Sequence, residues 1–284
     1  MKALSRLIFV VSPLALVFIL LSANVISPFD PNQISDEFGL FPTLAEPSAK
    51  HILGTNALGM DLWSRMVHGS RTVILVASLV AFFAFVIGVG AGLIAGWFAN
   101  WLDRVMRSFF DFSYAMPGIL LAIGLSFALS GGRPSYVSTL AAVIFAESLT
   151  FSAKYFYIVR SNVLSLKEEL YVVASEALGA TPIHVFRRHL LPNIIRQTMP
   201  LTAQSASAAI STLAGLGFLG LGIGYGLQPE WGFDLGQAIS PMMMGNYWPL
   251  VASLTPLLVM LLWLSLAAER LARDMSRKSL PRFD

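Results

Sequence analysis

Six long apolar runs dominate the sequence, and each can cross a bilayer as a helix. A helix needs about 20 mainly apolar residues to span a hydrocarbon core roughly 30 Å thick. Lipid offers no hydrogen-bond partners, so the backbone must satisfy its own polar groups. The runs are residues 7–26, 72–99, 112–130, 136–155, 199–222 and 248–268. The sequence therefore predicts an all-α integral membrane protein with about six transmembrane helices.

The composition agrees with this prediction and excludes an ordinary soluble enzyme. Of the 284 residues, 56% are hydrophobic and 12% are charged, whereas soluble domains carry about 25% charged residues. Cysteine is absent, which excludes disulfides, thiolate nucleophiles and cysteine-ligated metals. The basic residues lack the interleaved aromatic residues of a base-stacking surface, so no nucleic-acid partner is expected.

The basic residues also predict the orientation. With a cytoplasmic N-terminus, only Lys50, Arg65, Arg71 and Arg133 of the 19 Lys and Arg residues lie outside. The positive-inside rule then places both termini in the cytoplasm. The first run resembles a signal peptide but is long for a cleaved one, so an uncleaved helix is favoured. Cleavage would leave five helices.

The runs divide the chain into four expected segments. A first helix (1–26) precedes an external loop (27–71), in which a short interfacial helix is expected at about 61–68. A core of about five spans (72–268) contains a cytoplasmic loop (160–196), and a cytoplasmic tail (269–284) follows.

Signatures of catalysis and of metal binding are missing. No glycine precedes a lysine, so the chain has no GxxxxGK[ST] phosphate-binding loop. It also lacks the HExxH and GxSxG motifs. His184 and His189 lie among arginines, which disfavour a metal ion there. No catalytic residue, metal site or cofactor is therefore expected.

Glycines at regular spacing have a structural interpretation. Residues 215–220 match GxGxxG, but a dinucleotide site requires a preceding strand and a following helix. Close packing is the expected meaning. Gly88, Gly92 and Gly96 have the spacing of a close helix contact, either inside the subunit or across a dimer.

The polar loop between the fourth and fifth runs contains signals for two helices. Ser165 and Glu168 form a capping box at the predicted start of the first helix, and Gly179 suits the left-handed position after its end. Thr181 and Pro182 suit the start of the second helix. The pattern predicts a helix–turn–helix on the cytoplasmic face.

The second of these helices is amphipathic and ends before Pro192. Its apolar face comprises Ile183, Phe186 and Leu190, and its basic face comprises His184, Arg187 and Arg188. Such a helix can lie on anionic lipid. A stiff two-helix turn also suits docking into a groove of a soluble partner.

Residues 171–181 and 188–193 resemble the cytoplasmic signature of binding-protein-dependent ABC transporter permeases. That signature is a Glu-Ala-Ala triplet, three residues, glycine, nine residues, and then an apolar residue, any residue and Leu-Pro. Gly179 and Leu191-Pro192 keep this spacing.

Two further segments resemble the dipeptide, oligopeptide and nickel branch of that family. Residues 51–71 resemble HPLGTDxxGRDxxSRxxxGxR, and residues 217–222 with 229–232 resemble LSFLGLG…PEWG. Length and topology suit the shorter, C-type paralogue. Some positions depart from the pattern: Val173-Ala174-Ser175 replaces the triplet, and Asn56, Met60 and Leu213 replace Asp, Arg and Glu.

The resemblance implies a type I importer permease of the bacterial inner membrane, which moves peptides, nickel complexes or similar solutes. Its implied partners are a second paralogous permease, two cytoplasmic ATPases that bind ATP and magnesium, an external solute-binding protein and membrane lipid. This chain would bind no cofactor itself. The residues assigned to the ATPase-coupling loop are Glu168, Ala174, Glu176, Ala177, Gly179, Ala180, Thr181, Pro182, Arg188, Leu191 and Pro192.

Glu147 is the only acidic residue deep in a predicted span. A carboxylate there costs roughly 2.5–3.5 kcal/mol on insertion scales. It either faces the translocation pathway or bonds to a neighbouring helix. The alternative function is an ion-driven secondary transporter, which would require several such groups, and a membrane-embedded hydrolase lacks a convincing set of catalytic residues.

Overall fold

The computed structural model describes residues 23–170, 191–221 and 228–276. These ranges are mainly helical, as predicted. The helices are α1 (Leu62–Phe98), α2 (Trp101–Ala115), α3 (Gly118–Leu129), α4 (Tyr136–Lys167), α5 (Leu191–Phe218), α6 (Trp231–Gln237), α7 (Ile239–Met243) and α8 (Trp248–Ser276). A small antiparallel hairpin of β1 (Ser35–Asp36) and β2 (Gly39–Leu40) precedes them.

Three helices within the described ranges are long and apolar enough to cross a membrane. They are α1, α4 and residues 248–273 of α8, and they correspond to the second, fourth and sixth predicted runs. The first predicted span lies almost wholly outside the described residues. α5 has 28 residues but is not among the apolar spans. The count of six and the position of the termini remain predictions.

The third predicted run is a broken helix. α2 and α3 meet at an angle of 91° and reach span length only when they are counted together. Pro117 explains the break, because the residue before a proline disfavours helical angles, and Met116 is extended at φ −83° and ψ 123°. The backbone N–H groups of Leu120 and Leu121 both bond to the carbonyl of Pro117, where α3 begins.

Two predicted helix ends differ from the structure. The expected interfacial helix is the first part of α1, which continues without a break into the second span. Ser165 does not start a helix, because α4 runs to Lys167 and the N–H of Glu168 bonds to the carbonyl of Ser165 at 3.2 Å. Pro192 lies in the first turn of α5, where its missing N–H costs nothing, and the helix predicted to end before it lies outside the described residues.

The chain forms two compact units. The first comprises residues 1–78, 122–143 and 209–263, and the second comprises 79–121, 144–208 and 264–284. In the second unit, α1 lies directly against α4. A Cβ atom on Gly92 or Gly96 would lie 2.8 Å from Val159 Cβ or 2.7 Å from Val163 Cβ, respectively. The predicted glycine contact is therefore confirmed, and it lies inside the subunit.

Candidate functional site

The two segments that carry the family resemblance, both predicted to be external, meet in the first unit. Arg65, from the first turn of α1, donates from Nε to Oδ1 of Asp234 in α6 at 2.7 Å. The two side chains are only 1% and 7% exposed. A buried ion pair of this kind requires both partners, since removing one leaves an uncompensated charge.

The loop before α1 positions Arg65 rigidly. Asp61 caps α1, because its Oδ2 accepts from the backbone N–H and the hydroxyl of Ser64 at 2.8 and 2.7 Å. Its Oδ1 lies 2.9 Å from His51 Nδ1, and the His51 ring packs against Phe29 and Phe41. Asp61 therefore connects the first turn of α1 to the loop residue His51.

Contacts in this loop involve two residues that depart from the family pattern, Asn56 and Met60. Asn56 Oδ1 accepts from the N–H groups of Leu58 and Met60, both at 2.9 Å, as an aspartate oxygen would. Met60 contacts the clustered charges directly, because its sulfur lies 3.3 Å from Arg65 Nη1.

Glu230 caps α6 and is completely buried. Its two carboxylate oxygens accept from the N–H groups of Gly232 and Phe233 at 2.9 and 2.7 Å. Burial raises the pKa of Glu230 to about 7, even though these N–H groups and Arg65 favour the charged form. Burial also raises the pKa of Asp234, and Arg65 opposes this shift.

Glycines allow the helices to pack tightly around this polar cluster. Gly217 touches the Glu230 carboxylate, and a Cβ atom there would lie 2.9 Å from the backbone nitrogen of Phe233. A Cβ atom on Gly69 would lie 2.9 Å from the Trp231 ring, whose Nε1 donates to the Met66 carbonyl at 2.9 Å. The GxGxxG match is thus a packing motif at Gly217, as expected.

We name this cluster the clasp. It consists of Arg65, Gly69, Gly217, Glu230, Trp231 and Asp234. It joins the start of α1 to α6 and to the end of α5. Sequence reasoning identified the two segments but missed the pair of Arg65 with Asp234. Their opposite charges were the available signal, but 169 positions separate them.

Glu147 lies in the second unit, at the break between α2 and α3. Its side chain is buried, with the residue 4% exposed. The carboxylate lies against Gly118, the first residue of α3, where an added Cβ atom would require the carboxylate to move. The free N–H groups of a first helical turn attract a carboxylate. Sequence reasoning identified this acid but not the helix end that it meets.

Most residues assigned to the coupling loop lie outside the described residues: Ala174, Glu176, Ala177, Gly179, Ala180, Thr181, Pro182 and Arg188. Glu168 is exposed in the turn after α4, and Leu191 and Pro192 begin α5.

The helices on either side of that loop are held together in the second unit. Val163 and Leu166 of α4 share a buried core with Ile194 of α5. Asn162 Nδ2 donates to Gln197 Oε1 at 2.6 Å. α4 and α5 therefore form a common base for the loop.

A second ion pair ties α2 to the same base. Arg160 of α4 donates from Nε and Nη2 to the two oxygens of Asp103 at 2.5 and 2.7 Å. Nearby, Phe110 stacks on Phe156 with ring centroids 4.3 Å apart.

Residues 88–277 match the family of binding-protein-dependent transport system inner membrane components. The glutathione transport system permease protein GsiD of Pectobacterium atrosepticum is 31% identical over 249 residues, which cover 87% of this chain and 79% of that protein. The di/tripeptide transport system permease protein DppC of Pseudomonas aeruginosa is 32% identical over 238 residues, covering 83% and 75%.

Solved structures show the same fold. A chain of the inward-facing MetNI methionine ABC transporter has a TM-score of 0.53 at 20% identity, and the match covers 74% of this chain and 96% of that one. A chain of an amino acid ABC transporter has a TM-score of 0.50 at 17% identity, covering 74% and 94%.

These matches favour the importer over an ion-driven secondary transporter. The similar proteins are permease proteins, consistent with the prediction that the ATPase lies on other subunits. The chain belongs to the binding-protein-dependent transport system inner membrane component family and is a multi-pass permease subunit of a bacterial ABC importer.

Proposed function

We propose that the imported solute is a small peptide and that glutathione-like peptides are included. The observation that carries this proposal is the similarity to two permeases whose names specify glutathione and di/tripeptides, at 31% and 32% identity over more than four fifths of this chain. The resemblance of residues 51–71 to the same branch supports it. Nickel complexes are the second candidate from that branch.

The working transporter contains more than this chain. It comprises a second, paralogous permease, two cytoplasmic ATPases that bind ATP and magnesium, and an external binding protein that delivers the peptide. The absence of a GxxxxGK[ST] loop supports separate ATPase subunits.

Coupling runs through the segment between α4 and α5. In the loop predicted from the sequence, Glu176 and Arg188 would offer charged contacts to an ATPase, while Gly179 and Pro182 would shape the turn. The packed pair of α4 and α5 supports this role, because a displacement of the loop reaches both helices. Stiff packed elements transmit such displacements as small shifts and rotations.

α5 then carries the movement toward the clasp. It is one helix of 28 residues, about 42 Å long at 1.5 Å per residue. Its first turn adjoins the coupling loop, and near its end Gly217 touches Glu230 of the clasp. A shift of α5 would therefore displace Glu230 and change the contact between α1 and α6.

Glu147 anchors the α2–α3 break and shapes the translocation pathway. Its contact with Gly118 supports the anchoring role. Glu147→Gln keeps the size of the side chain and removes its charge. If the carboxylate holds the break, this change weakens folding of the permease as well as transport, whereas a ligand of the solute alone would affect only uptake.

Co-purification tests the coupling assignment. In Gly179→Arg, the large side chain at the turn is expected to abolish recovery of the ATPases with the permease and to abolish ATP-dependent uptake. Ala49→Arg is the matched control, since Ala49 is exposed in the loop before α1. Normal assembly and uptake in Gly179→Arg would refute the assignment.

A further inference from the structure

The ends of α1 and α4 meet beside the start of the coupling loop, within the second unit. Lys167 is the last residue of α4 and directly precedes Glu168, the first residue assigned to that loop. The Lys167 side chain crosses to α1, where its Nζ donates to the backbone carbonyl of Trp97 at 2.8 Å. One amino group therefore joins the end of α1 to the helix that enters the loop.

The carbonyl of Trp97 is a favourable acceptor for this amine. Because α1 ends at Phe98, the carbonyl is among the last four of the helix, which have no partner within it. The C-terminus of a helix also carries a partial negative charge, so a cation there is stabilised. The contact thus satisfies a backbone group and complements the helix dipole.

The Trp97 side chain adds a second contact. Lys167 Nζ lies 5.2 Å from the centroid of the Trp97 ring, within the range of a cation–π interaction. The Trp97 side chain also packs against the buried core that contains Val163 and Leu166 of α4 and Ile194 of α5. Trp97 therefore belongs to the same packed base as the two helices that flank the coupling loop.

The chain changes direction immediately after α1 ends. Ala99 has a φ of 46°, the left-handed conformation that follows many helix ends, and the Asn100 side chain caps α2. The pair of Arg160 with Asp103 then ties α2 to α4. The turn between α1 and α2 is therefore connected to α4 on both sides, by Lys167 before it and by Arg160 after it.

We propose that Lys167 is a positioning residue for coupling, which makes the α1–α2 turn follow a displacement of the coupling loop. The proposal rests on the proposed assignment of that loop to ATPase coupling. Gly92 and Gly96 already pack α1 closely against α4, and Lys167 extends this contact to the helix ends nearest the loop. Without its bond, the loop and the end of α4 shift while the turn stays behind.

Hydrogen–deuterium exchange of the complete complex in nanodiscs tests this transmission directly. Exchange at residues 97–102 and at residues 169–178 is compared with and without ATP and vanadate, which trap the ATPases. Trapping should change exchange in both segments of the native complex. In Lys167→Met, the response at 169–178 should remain and the response at 97–102 should be lost. The 97–102 segment of this variant should also exchange about fivefold faster before trapping, because a partly exposed hydrogen bond to a cation is missing.

Two further variants separate this bond from a general effect of lost charge. Lys167→Arg keeps a cation and N–H donors and should retain the response at residues 97–102. Arg104→Met removes an exposed cation of α2 in the same unit and should leave the response unchanged. Loss of the response in Arg104→Met would attribute it to charge in general and overturn the proposal.

Uptake by the reconstituted transporter provides an independent measurement. Lys167→Met should lower the amount of trialanine imported per ATP hydrolysed about fivefold, while Lys167→Arg should retain most of it. The KM for trialanine should stay unchanged, because the bond joins two helices of the permease. A raised KM with an unchanged ratio of uptake to hydrolysis would contradict a positioning role.

The exchange results also distinguish this proposal from the function on which it rests. A native complex that responds at residues 169–178 but not at 97–102 would refute the positioning role and leave the coupling assignment intact. The same conclusion follows if both segments of Lys167→Met respond as in the native complex. If neither segment of the native complex responds to trapping, the coupling assignment fails, and the proposal fails with it.

Discussion

The two units each contain an arginine–aspartate pair that joins distant segments, but the pairs differ in burial. Arg65 and Asp234 in the first unit are 1% and 7% exposed. Arg160 and Asp103 in the second unit are 20% and 6% exposed. If Arg160 is removed, water can enter the partly exposed space that its side chain leaves. If Arg65 is removed, the buried clasp excludes water from the corresponding space. Similar bonds should therefore make unequal contributions to stability.

Close glycine contacts also serve different ends in the two units. In the second unit, Gly92 and Gly96 bring α1 against the backbone and apolar side chains of α4. In the first unit, Gly217 makes room for the buried Glu230 carboxylate. One contact packs two membrane helices, while the other allows a charged group to be enclosed.

The largest effect is expected from breaking the clasp pair. Arg65→Met leaves Asp234 buried without its partner, which should lower the free energy of unfolding by about 3–5 kcal/mol. Thermal unfolding of the purified complex measures the change. The double variant Arg65→Met/Asp234→Leu should recover most of the loss, because neither charge remains. A double variant no more stable than Arg65→Met would contradict the ion-pair account.

The second-largest effect on stability is expected from the titration of Glu230. Its pKa is about 7 in the folded protein and 4.5 ordinarily, so the folded state binds the proton more tightly. Proton binding by Glu230 therefore stabilises the folded state. This stabilisation is complete below about pH 4.5 and is lost as pH rises through about 7, and it amounts to at most about 3 kcal/mol.

Unfolding midpoints at about pH 5.5 and about pH 8 check this direction. The native complex should unfold at a lower temperature at the higher pH, and Glu230→Gln should reduce the difference. Asp36→Asn is the control, because a hydrogen bond from Lys50 lowers the pKa of Asp36, and it should leave the difference in place. An unchanged difference in Glu230→Gln would exclude Glu230 as its source.

Overpacking tests the apolar glycine contact. Gly88→Leu would force a side chain against Ser152 and Tyr155 of α4, at a cost of about 1–3 kcal/mol. Gly90→Leu is the control on the same helix, since a Cβ atom there meets nothing within 4 Å. The yield of folded protein and its thermal stability in detergent should fall for Gly88→Leu only. Equal losses would mean that added bulk, rather than the contact with α4, causes them.

The smallest effect is expected from the more exposed pair. Arg160→Met should cost about 1 kcal/mol, because Asp103 keeps a second partner in Arg107, whose Nε lies 3.4 Å from Asp103 Oδ2, and because Arg160 itself is partly exposed to water. The same unfolding measurement as for Arg65→Met makes the comparison direct. A loss as large as that of Arg65→Met would show that the difference in burial does not control the energies.

The sequence predicts the helical class, the position of three spans and the meaning of the glycines, because hydropathy and small-residue spacing are local signals. It misses the break at Pro117, since proline is tolerated within many membrane helices. It also places the start of α1 too late, because polar residues such as Arg65 lie in the same helix as the span. The partner of Arg65 depends on tertiary contact, which one sequence does not reveal.

Peptide uptake into proteoliposomes tests the central claim most directly. The complex of both permeases and the ATPases is reconstituted, the binding protein is added outside, and accumulation of labelled trialanine is followed. The account predicts uptake that requires internal ATP and the binding protein and that survives ionophores which collapse ion gradients. Uptake that needs no ATP and stops when the gradients are collapsed would contradict it.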